Sequence, residues 1–236
     1  MKLKYKRVLI KLSGEVLKGD LESGIEGAKL MQLAASVKEL QDLECEVGIV
    51  IGGGNIWRYR DNQNLSLDRV TSDTMGMMAT VMNALGFEAA LKELGASVRA
   101  VTAFPCEKAM ENYLPKRAKS HMDKGRIVIF AGGTGSPFFT TDSAAALRAL
   151  EMGCDVLLKA TKVDYVYDKD PVKNPDAKKY ETLSYQDVIE QNLGVMDLTC
   201  ASLCKEAVMP MLVFNLDDQK ALIKAVKGDK IGTLIS

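Results

Sequence analysis

Residues 132–150, reading GGTGSPFFTTDSAAALRAL, combine side chains and glycines suited to phosphate chemistry. They join a strand-like apolar run at 126–131 to an alanine-rich, helix-like segment. Glycines let backbone amides approach an anion, and Thr140 and Thr141 can cap the helix, whose N-terminal end attracts negative charge. Asp142 falls in the first helical turn, where a carboxylate can orient lysines or a metal ion. The alternative interpretation is an ordinary strand-to-helix turn.

Two other strand ends carry residues that favour anions. Lys11 lies at the end of the first apolar run, and Ser13 and Gly14 follow it in the turn. The run at 46–51 leads into three glycines at 52–54, which can form an anion nest, and Arg58 follows one turn later. Because three strand ends agree, we predict a phosphoryl-transfer site that works by positioning and charge neutralisation.

Familiar phosphate motifs are absent from the sequence. It contains no Gly-Lys dipeptide, which excludes the P-loop pattern, and neither glycine cluster has G-x-G-x-x-G spacing. Protein-kinase signatures are missing as well. The predicted site is therefore built from strand-end lysines, glycine nests and an orienting aspartate.

Composition narrows the class of protein. With 31 basic and 31 acidic residues among 236, no global charge recruits nucleic acid or an anionic membrane. Five dispersed cysteines and one histidine match neither a disulfide framework nor a Cys/His zinc set, which favours reduced thiols in cytosol. The N-terminus has no signal-peptide core, and no apolar run is long enough to span a bilayer. We expect a cytoplasmic protein without nucleic-acid or membrane partners.

Strand-like runs alternate with helical patterns along the chain. Strands are predicted at 7–12, 46–51, 97–101, 126–131, 155–159, 210–215 and 231–235, and helices at 27–43, 72–94, 106–122, 142–152 and 217–226. This order predicts an α/β fold, a three-layer αβα sandwich with a central, mainly parallel sheet. Ligands should gather at the carboxyl ends of its strands.

The stretch 160–181 is longer than most connections in compact domains. Its residues 162–167 could pair as a short hairpin and present an aromatic wall to a nucleobase. A plain surface excursion is an equal alternative.

Five segments together resemble the bacterial uridylate (UMP) kinases of the amino-acid-kinase superfamily. They are KLSGE at 11–15, GGGN at 52–55 with Arg58, DTMGMMATVMNAL at 73–85, GTGSPFFTTDSAA at 133–145 and LKATKVDYVYDKDP at 158–171. The match spans nearly the whole chain in order and spacing. The resemblance implies one amino-acid-kinase-like domain over 1–236, with an acceptor-binding lobe near 1–150 and an ATP-binding lobe near 151–236.

The resemblance also implies a reaction, in which ATP phosphorylates UMP to give UDP and ADP in pyrimidine nucleotide synthesis. Mg²⁺ accompanies ATP, and the resemblance assigns no metal ligand to the chain. The implied catalytic residues are Lys11, Asp142, Arg58 and Asp197. The implied ATP-binding residues are Lys11, Leu12, Ser13, Gly14, Gly54, Arg58, Thr161, Tyr167 and Asp170. The implied UMP-binding residues are Gly53, Asp73, Thr134, Gly135, Ser136, Pro137, Phe138, Phe139, Thr140 and Thr141.

Three positions depart from the family pattern. Ser136 stands where relatives usually have Asn, and Tyr59 stands where they often have Gly. Glu88 stands where an arginine for a regulatory GTP is expected, so we expect weak or no activation by GTP. Whether UTP inhibits is left open.

The helix predicted at 72–94 carries a methionine stripe. Met75, Met78 and Met82 share one helical face, and this periodicity predicts core packing. The resemblance implies instead that the helix contributes to the subunit contacts of a homohexamer.

Two rival functions remain. One is another kinase of the superfamily that acts on a carboxylate or carbamate, and the PFFTTD loop and Asp73 argue against it. The other is a nucleotide-binding storage or regulatory protein without turnover, and Lys11 and Asp142 argue against it.

Overall fold

The computed structural model describes residues 2–62, 65–218 and 220–236. Its strands are β1 (Arg7–Leu12), β2 (Glu46–Ile51), β3 (Val98–Thr102), β4 (Glu111–Asn112), β5 (Ile127–Ala131), β6 (Val156–Thr161), β7 (Val166–Tyr167), β8 (Lys179–Tyr180), β9 (Thr182–Leu183), β10 (Met211–Asn215) and β11 (Gly232–Ile235). Its α-helices are α1 (Glu15–Lys18), α2 (Gly27–Asp42), α3 (Arg69–Glu93), α4 (Pro115–Asp123), α5 (Thr141–Met152), α6 (Tyr185–Glu190), α7 (Leu198–Glu206) and α8 (Ala221–Lys227). A 3₁₀ turn covers Tyr59–Asn62.

In the part of the chain that the structure describes, nine strands form one sheet in the order β4-β3-β5-β2-β1-β6-β10-β11-β9. Neighbouring strands pair in parallel except β10 and β11, which are antiparallel. The predicted α/β fold with a mainly parallel sheet is confirmed. At its centre β1 pairs with β6, and this register sets Lys11 opposite Lys159.

Helices cover both faces of the sheet, as the three-layer prediction requires. Successive residues of a strand face opposite sides, so Val8, Ile10 and Leu12 join one core cluster and Leu9 joins the other. The first cluster contains side chains of α2, α3 and α8, and the second contains side chains of α4, α5, α6 and α7. Lys11 therefore shares the Leu9 side of β1, which is the side covered by α5.

The prediction of a helix at 106–122 is wrong for residues 106–114. The helix begins only at Pro115, and the residues before it include strand β4. A proline disfavours the helical conformation in the residue before it, and Leu114 is extended, with φ −130° and ψ 121°. Pro115 is well suited to the first helical position, where no amide donor is needed.

The other predicted elements are recovered with small shifts at their ends. The largest extension is at α3, which begins at Arg69 because Asp68 caps it and accepts a hydrogen bond from the Thr71 amide at 2.9 Å. The sequence analysis did not predict α1, α6 and α7, all of them shorter than ten residues.

Of the two alternatives left open for 162–167, a short hairpin within the segment does not form. Strand β7 instead pairs antiparallel with β8, with Val166 opposite Tyr180 and Tyr167 opposite Lys179. The amide of Val166 donates to the buried hydroxyl of Thr233 at 2.8 Å, which ties the hairpin to the main sheet. The ribbon is therefore anchored by a distant strand that local pattern cannot reveal.

No helix in the described ranges is long and apolar enough to cross a membrane.

Gly14 marks the closest approach of the turns after β1 and β2. A Cβ atom on Gly14 would lie 2.4 Å from both Gly52 O and Asn55 Oδ1. We expect Gly14→Ala to lower the free energy of unfolding by about 1–3 kcal/mol through overpacking, measured by chemical denaturation. Gly27→Ala is the matched control, because nothing described lies within 4 Å of its added methyl group. Equal effects of the two substitutions would contradict this packing explanation.

Candidate active site

A largely buried carboxylate between two lysines forms the centre of the candidate site. Lys11 Nζ lies 2.8 Å from Asp142 Oδ1, and Lys159 Nζ contacts Asp142 Oδ2. The exposed fraction of the side chain is 13% for Lys11, 16% for Asp142 and 9% for Lys159. We call these three residues the lysine–aspartate cluster.

Local structure explains why the cluster forms. Parallel pairing puts Lys11 of β1 beside Lys159 of β6, and the twofold strand period turns both towards α5. Thr140 caps α5, because its hydroxyl accepts hydrogen bonds from the amides of Asp142 at 3.1 Å and Ser143 at 3.4 Å. The predicted cap is confirmed, and it sets Asp142 in the first turn, where the helix dipole favours an anion.

The two lysines favour the charged form of Asp142, and two basic side chains face this one carboxylate. Burial disfavours the charged form of Asp142, but Lys11 and Lys159 outweigh burial and hold its pKa below the usual value. Burial lowers the pKa of Lys159, and Asp142 opposes that change. Two ammonium groups against one carboxylate in a poorly solvated place attract a further anion strongly.

A cavity of about 160 Å³ opens on one side of the cluster. Seven of the predicted UMP-binding residues line it: Gly53, Asp73, Thr134, Ser136, Phe139, Thr140 and Thr141. Gly54, predicted for ATP, lines the same cavity. Gly135, Pro137 and Phe138 are not among its described lining residues, and Phe138 is 65% exposed. We call this space the acceptor cavity.

Asp73 is held at the mouth of the acceptor cavity by Arg69. The Arg69 Nε lies 2.8 and 2.9 Å from the two Asp73 oxygens, and the amide of Phe138 donates to Asp73 Oδ2 at 2.8 Å. The Arg69 guanidinium also lies over the rings of Tyr59 at 5.1 Å and Phe138 at 5.8 Å. Sequence reasoning missed Arg69, although its i,i+4 spacing to Asp73 was a visible signal.

A second, larger cavity of about 560 Å³ contains Thr161, Tyr167 and Asp170, three of the predicted ATP-binding residues. Tyr165 and residues 193–195 complete part of its wall. A narrower cleft lined by Lys11, Ser13 and Lys159 shares Thr161 with this cavity. On the other side, Thr141 lines the acceptor cavity and directly precedes Asp142. The lysine–aspartate cluster therefore adjoins the acceptor cavity next to Thr141 and the larger cavity next to Thr161.

The remaining predicted residues lie around this centre. Arg58 Nη2 contacts Glu15 Oε1 at 2.6 Å, and Arg58 Nε donates to Gly54 O at 2.8 Å. Gly14 packs against the turn after β2. The Leu12 side chain is fully buried, so this residue offers a ligand only its backbone.

Asp197 belongs to the support of α5 and does not line either cavity within the described chain. Its carboxylate caps α7 through the Cys200 amide at 2.9 Å, accepts from Ser143 Oγ at 2.7 Å, and contacts Thr140 Oγ1. Its geometry is that of a residue that fixes the start of α5, which carries Asp142.

Lys159 is the main site residue that sequence reasoning missed. The signal was present, because a lysine interrupts the apolar run of the strand VLLKAT, as Lys11 does in RVLIKL. Only strand pairing places the two lysines side by side.

The described residues do not fit a protein-held Mg²⁺ centre. They include no group of three His, Cys, Asp or Glu side chains that could hold a metal ion. Asp142 is occupied by two lysines, and Glu15 is paired with Arg58. A magnesium ion entering with a nucleotide would take its ligands from phosphate oxygens and water.

Comparison with known proteins identifies the family to which the chain belongs. The family model described as the amino acid kinase family matches residues 6–215. The chain is 52% identical over 231 residues to a uridylate kinase of Methylococcus capsulatus, covering 98% of this chain and 97% of that protein. It is 52% identical over 225 residues to a uridylate kinase of Rickettsia bellii, covering 95% of this chain and 94% of that protein.

A solved structure agrees with these relatives. The UMP kinase of Bacillus anthracis superposes with a TM-score of 0.96 at 40% identity, covering 98% of this chain and 96% of that one. The chain therefore belongs to the amino acid kinase family. Within that family, the resemblance to uridylate kinases that its motifs indicated is confirmed.

Replacing Asp142 with Asn removes the charge that holds Lys11 and Lys159 and leaves the size of the side chain unchanged. We expect kcat for ADP release to fall roughly 100-fold, the effect of losing one positioned electrostatic group. Asp42→Asn is the control, since Asp42 is 61% exposed and pairs with Lys38 on α2. Turnover of Asp142→Asn close to that of the control would remove Asp142 from the reaction.

Proposed function

We propose that this protein transfers the γ-phosphoryl group of ATP to UMP, giving UDP and ADP. The observation that carries the proposal is the lysine–aspartate cluster, which adjoins two cavities. Both nucleotides bring phosphate charge and repel each other, so a transferase must neutralise them where they meet. The uridylate kinases that resemble this chain over nearly its full length support the same reaction.

The roles of the cluster follow from its charges. Lys11 and Lys159 contact the phosphoryl group in transit and offset the charge on its oxygens. Asp142 holds both ammonium groups in place, so they need little reorganisation as the group moves. Phosphoryl transfer needs little covalent assistance from the protein, which agrees with a site made of positioned charges.

Each cavity suits one nucleotide. In the acceptor cavity, Asp73 accepts hydrogen bonds from the ribose hydroxyls, and the loop from Thr134 to Thr141 surrounds the uracil and its phosphate. In the larger cavity, Thr161, Tyr167 and Asp170 hold the adenosine of ATP. We accordingly assign acceptor binding to the lobe near 1–150 and ATP binding to the lobe near 151–236.

We place this reaction in pyrimidine nucleotide synthesis in the cytoplasm, with Mg²⁺ brought by ATP. The five cysteines are free thiols, which suits a reducing compartment. We also propose that GTP is not an effective activator. Glu88 pairs with Lys92 at 2.9 Å and accepts from the Ala100 amide at 3.0 Å, so a negative side chain is built into that position.

We propose a homohexamer from the resemblance to uridylate kinases, and the methionine stripe supports a subunit contact through α3. Met75, Met78 and Met82 are 37%, 46% and 56% exposed, so the prediction that they pack in the core of the chain is wrong. Periodicity identified an apolar face correctly, but α3 buries a different face against the sheet. An exposed apolar stripe on a long helix favours burial against another subunit.

An ADP-release assay with UMP, CMP, dUMP, carbamate and N-acetylglutamate as acceptors tests the proposed reaction. We expect UMP to give the highest kcat/KM. A carboxylate or carbamate acceptor that surpassed UMP would support the rival kinase, and no ADP with any acceptor would support a binding protein without turnover.

The two cavities predict opposite kinetic phenotypes. Lys11→Met and Lys159→Met should mainly lower kcat, since each removes positive charge from the transferring group, whereas Asp73→Asn should mainly raise the KM for UMP. Steady-state kinetics with each substrate varied in turn separate these effects. If Asp73→Asn instead raised the KM for ATP, the donor and acceptor assignments would be reversed.

Met78→Glu should break the hexamer and leave the chain folded, because the charge is unpaired only when the stripe is covered by another subunit. Analytical ultracentrifugation should detect smaller species, and circular dichroism should remain unchanged. Leu21→Glu is the control, as Leu21 is 45% exposed, close to the 46% of Met78, and lies outside α3. An intact hexamer in the Met78 variant would exclude this face as the interface.

A further inference from the structure

Two pairs of consecutive residues that line the acceptor cavity have backbone amides that make no hydrogen bond within the described chain. They are Gly53 and Gly54 after β2 and Gly133 and Thr134 after β5. Within the ranges that the structure describes, none of these four N–H groups donates to another atom of the protein. Unpaired amides in succession are suited to an anion.

Helix α3 holds the residue immediately before each pair. The Asn83 side-chain amide donates to Gly52 O at 2.8 Å, and the Thr80 hydroxyl accepts from the Gly132 amide at 2.8 Å. Asn83 is fully buried and Thr80 is nearly so. One helix therefore positions both glycine loops, from two side chains three residues apart on the same face.

Further hydrogen bonds fix the orientation of these two side chains. Asn83 and Asn55 form a reciprocal amide pair, with N···O distances of 2.8 and 3.0 Å, and Asn55 also donates to Gly24 O at 2.8 Å. The Thr80 hydroxyl donates to Met77 O at 2.7 Å, which leaves its lone pairs for Gly132. Buried polar groups that are all satisfied in this way hold a single arrangement.

The backbone of the first loop also rests directly on α3. A Cβ atom on Gly53 would lie 2.6 Å from Gly76 O and 2.9 Å from the Cβ of Ala79. This close approach requires glycine at 53, and it sets the distance between the loop and Asn83.

We propose that Asn83 and Thr80 are positioning residues that hold the four loop amides in place for the phosphate of the acceptor nucleotide. The proposal deepens the assigned reaction and rests on it. Asn83 acts through the loop backbone, because its buried side chain bonds to Gly52 O and is not among the described lining residues of the cavity. Thr80 bonds to the Gly132 amide and also lines the cavity itself. Loss of these hydrogen bonds should loosen the acceptor phosphate site and leave the ATP cavity largely unaffected.

Thr80→Val tests this most cleanly, since it preserves shape and leaves the Gly132 amide without its acceptor. An unsatisfied buried donor typically costs about 1–3 kcal/mol, so we expect kcat/KM for UMP to fall roughly 5- to 150-fold, chiefly through KM. The KM for ATP should stay near the wild-type value. Thr80→Ser keeps the hydroxyl and should restore UMP binding, measured by kinetics and by calorimetric titration with UMP. Asn83→Leu should also raise the KM for UMP, a result that a direct contact between Thr80 and the nucleotide would not produce, because Asn83 is fully buried.

Tyr185→Phe is the matched control, because it deletes one buried hydrogen bond, from Tyr185 OH to Met209 O at 2.7 Å, away from both cavities. It should lower the melting temperature without changing the KM for UMP. The proposal is overturned if Thr80→Val lowers the melting temperature similarly while its KM for UMP stays at the wild-type value. Equal rises in the KM values for UMP and ATP would overturn it as well. Failure of the wild-type enzyme to release ADP with UMP would instead refute the assigned reaction.

Discussion

The rest of the site depends on the buried ion pairs that join Asp142 to Lys11 and Lys159. Charges removed from water are tolerated only when they are paired, so the fold must bring the three side chains into contact with one another. Parallel pairing of β1 with β6 supplies the lysines, and the cap on α5 supplies the carboxylate. Asp197 secures that cap through Thr140 and Ser143 and starts α7 at the same time. The order of the central strands and the start of α5 are therefore conditions for the chemistry.

Helix α3 performs different tasks on its different faces. Its buried side packs Phe87 and Leu91 into the core and directs Thr80 and Asn83 to the glycine loops. Its exposed side carries the methionine stripe, and its first turn carries Asp73 with Arg69. The proposed subunit contacts, the loop geometry and the proposed acceptor recognition consequently involve the same helix. A long helix can combine these roles because its side chains diverge around a common axis.

The departures from the family pattern are integrated into the fold. The ring of Tyr59 lies under the Arg69 guanidinium, and Arg69 bonds to Asp73. Tyr59 also lines the acceptor cavity. Ser136 lines the same cavity, where a shorter side chain leaves more room beside the acceptor. Glu88 joins α3 to β3 through the Ala100 amide, so it has a structural partner of its own. The structural role of each departure is therefore defined by its contacts in the fold.

The sequence by itself determined the α/β order, the parallel sheet, both glycine loops, the Thr140 cap and the choice of Lys11 and Asp142 as residues of one candidate site. Those features depend on periodicity, turn residues and capping, which act over short stretches of chain. Only the tertiary structure decided that Lys159 joins Lys11, that Asp197 supports α5 and that β7 pairs with β8. It also decided which face of α3 is buried. Such contacts link residues far apart in sequence, and their register is set by global packing, which no local pattern records.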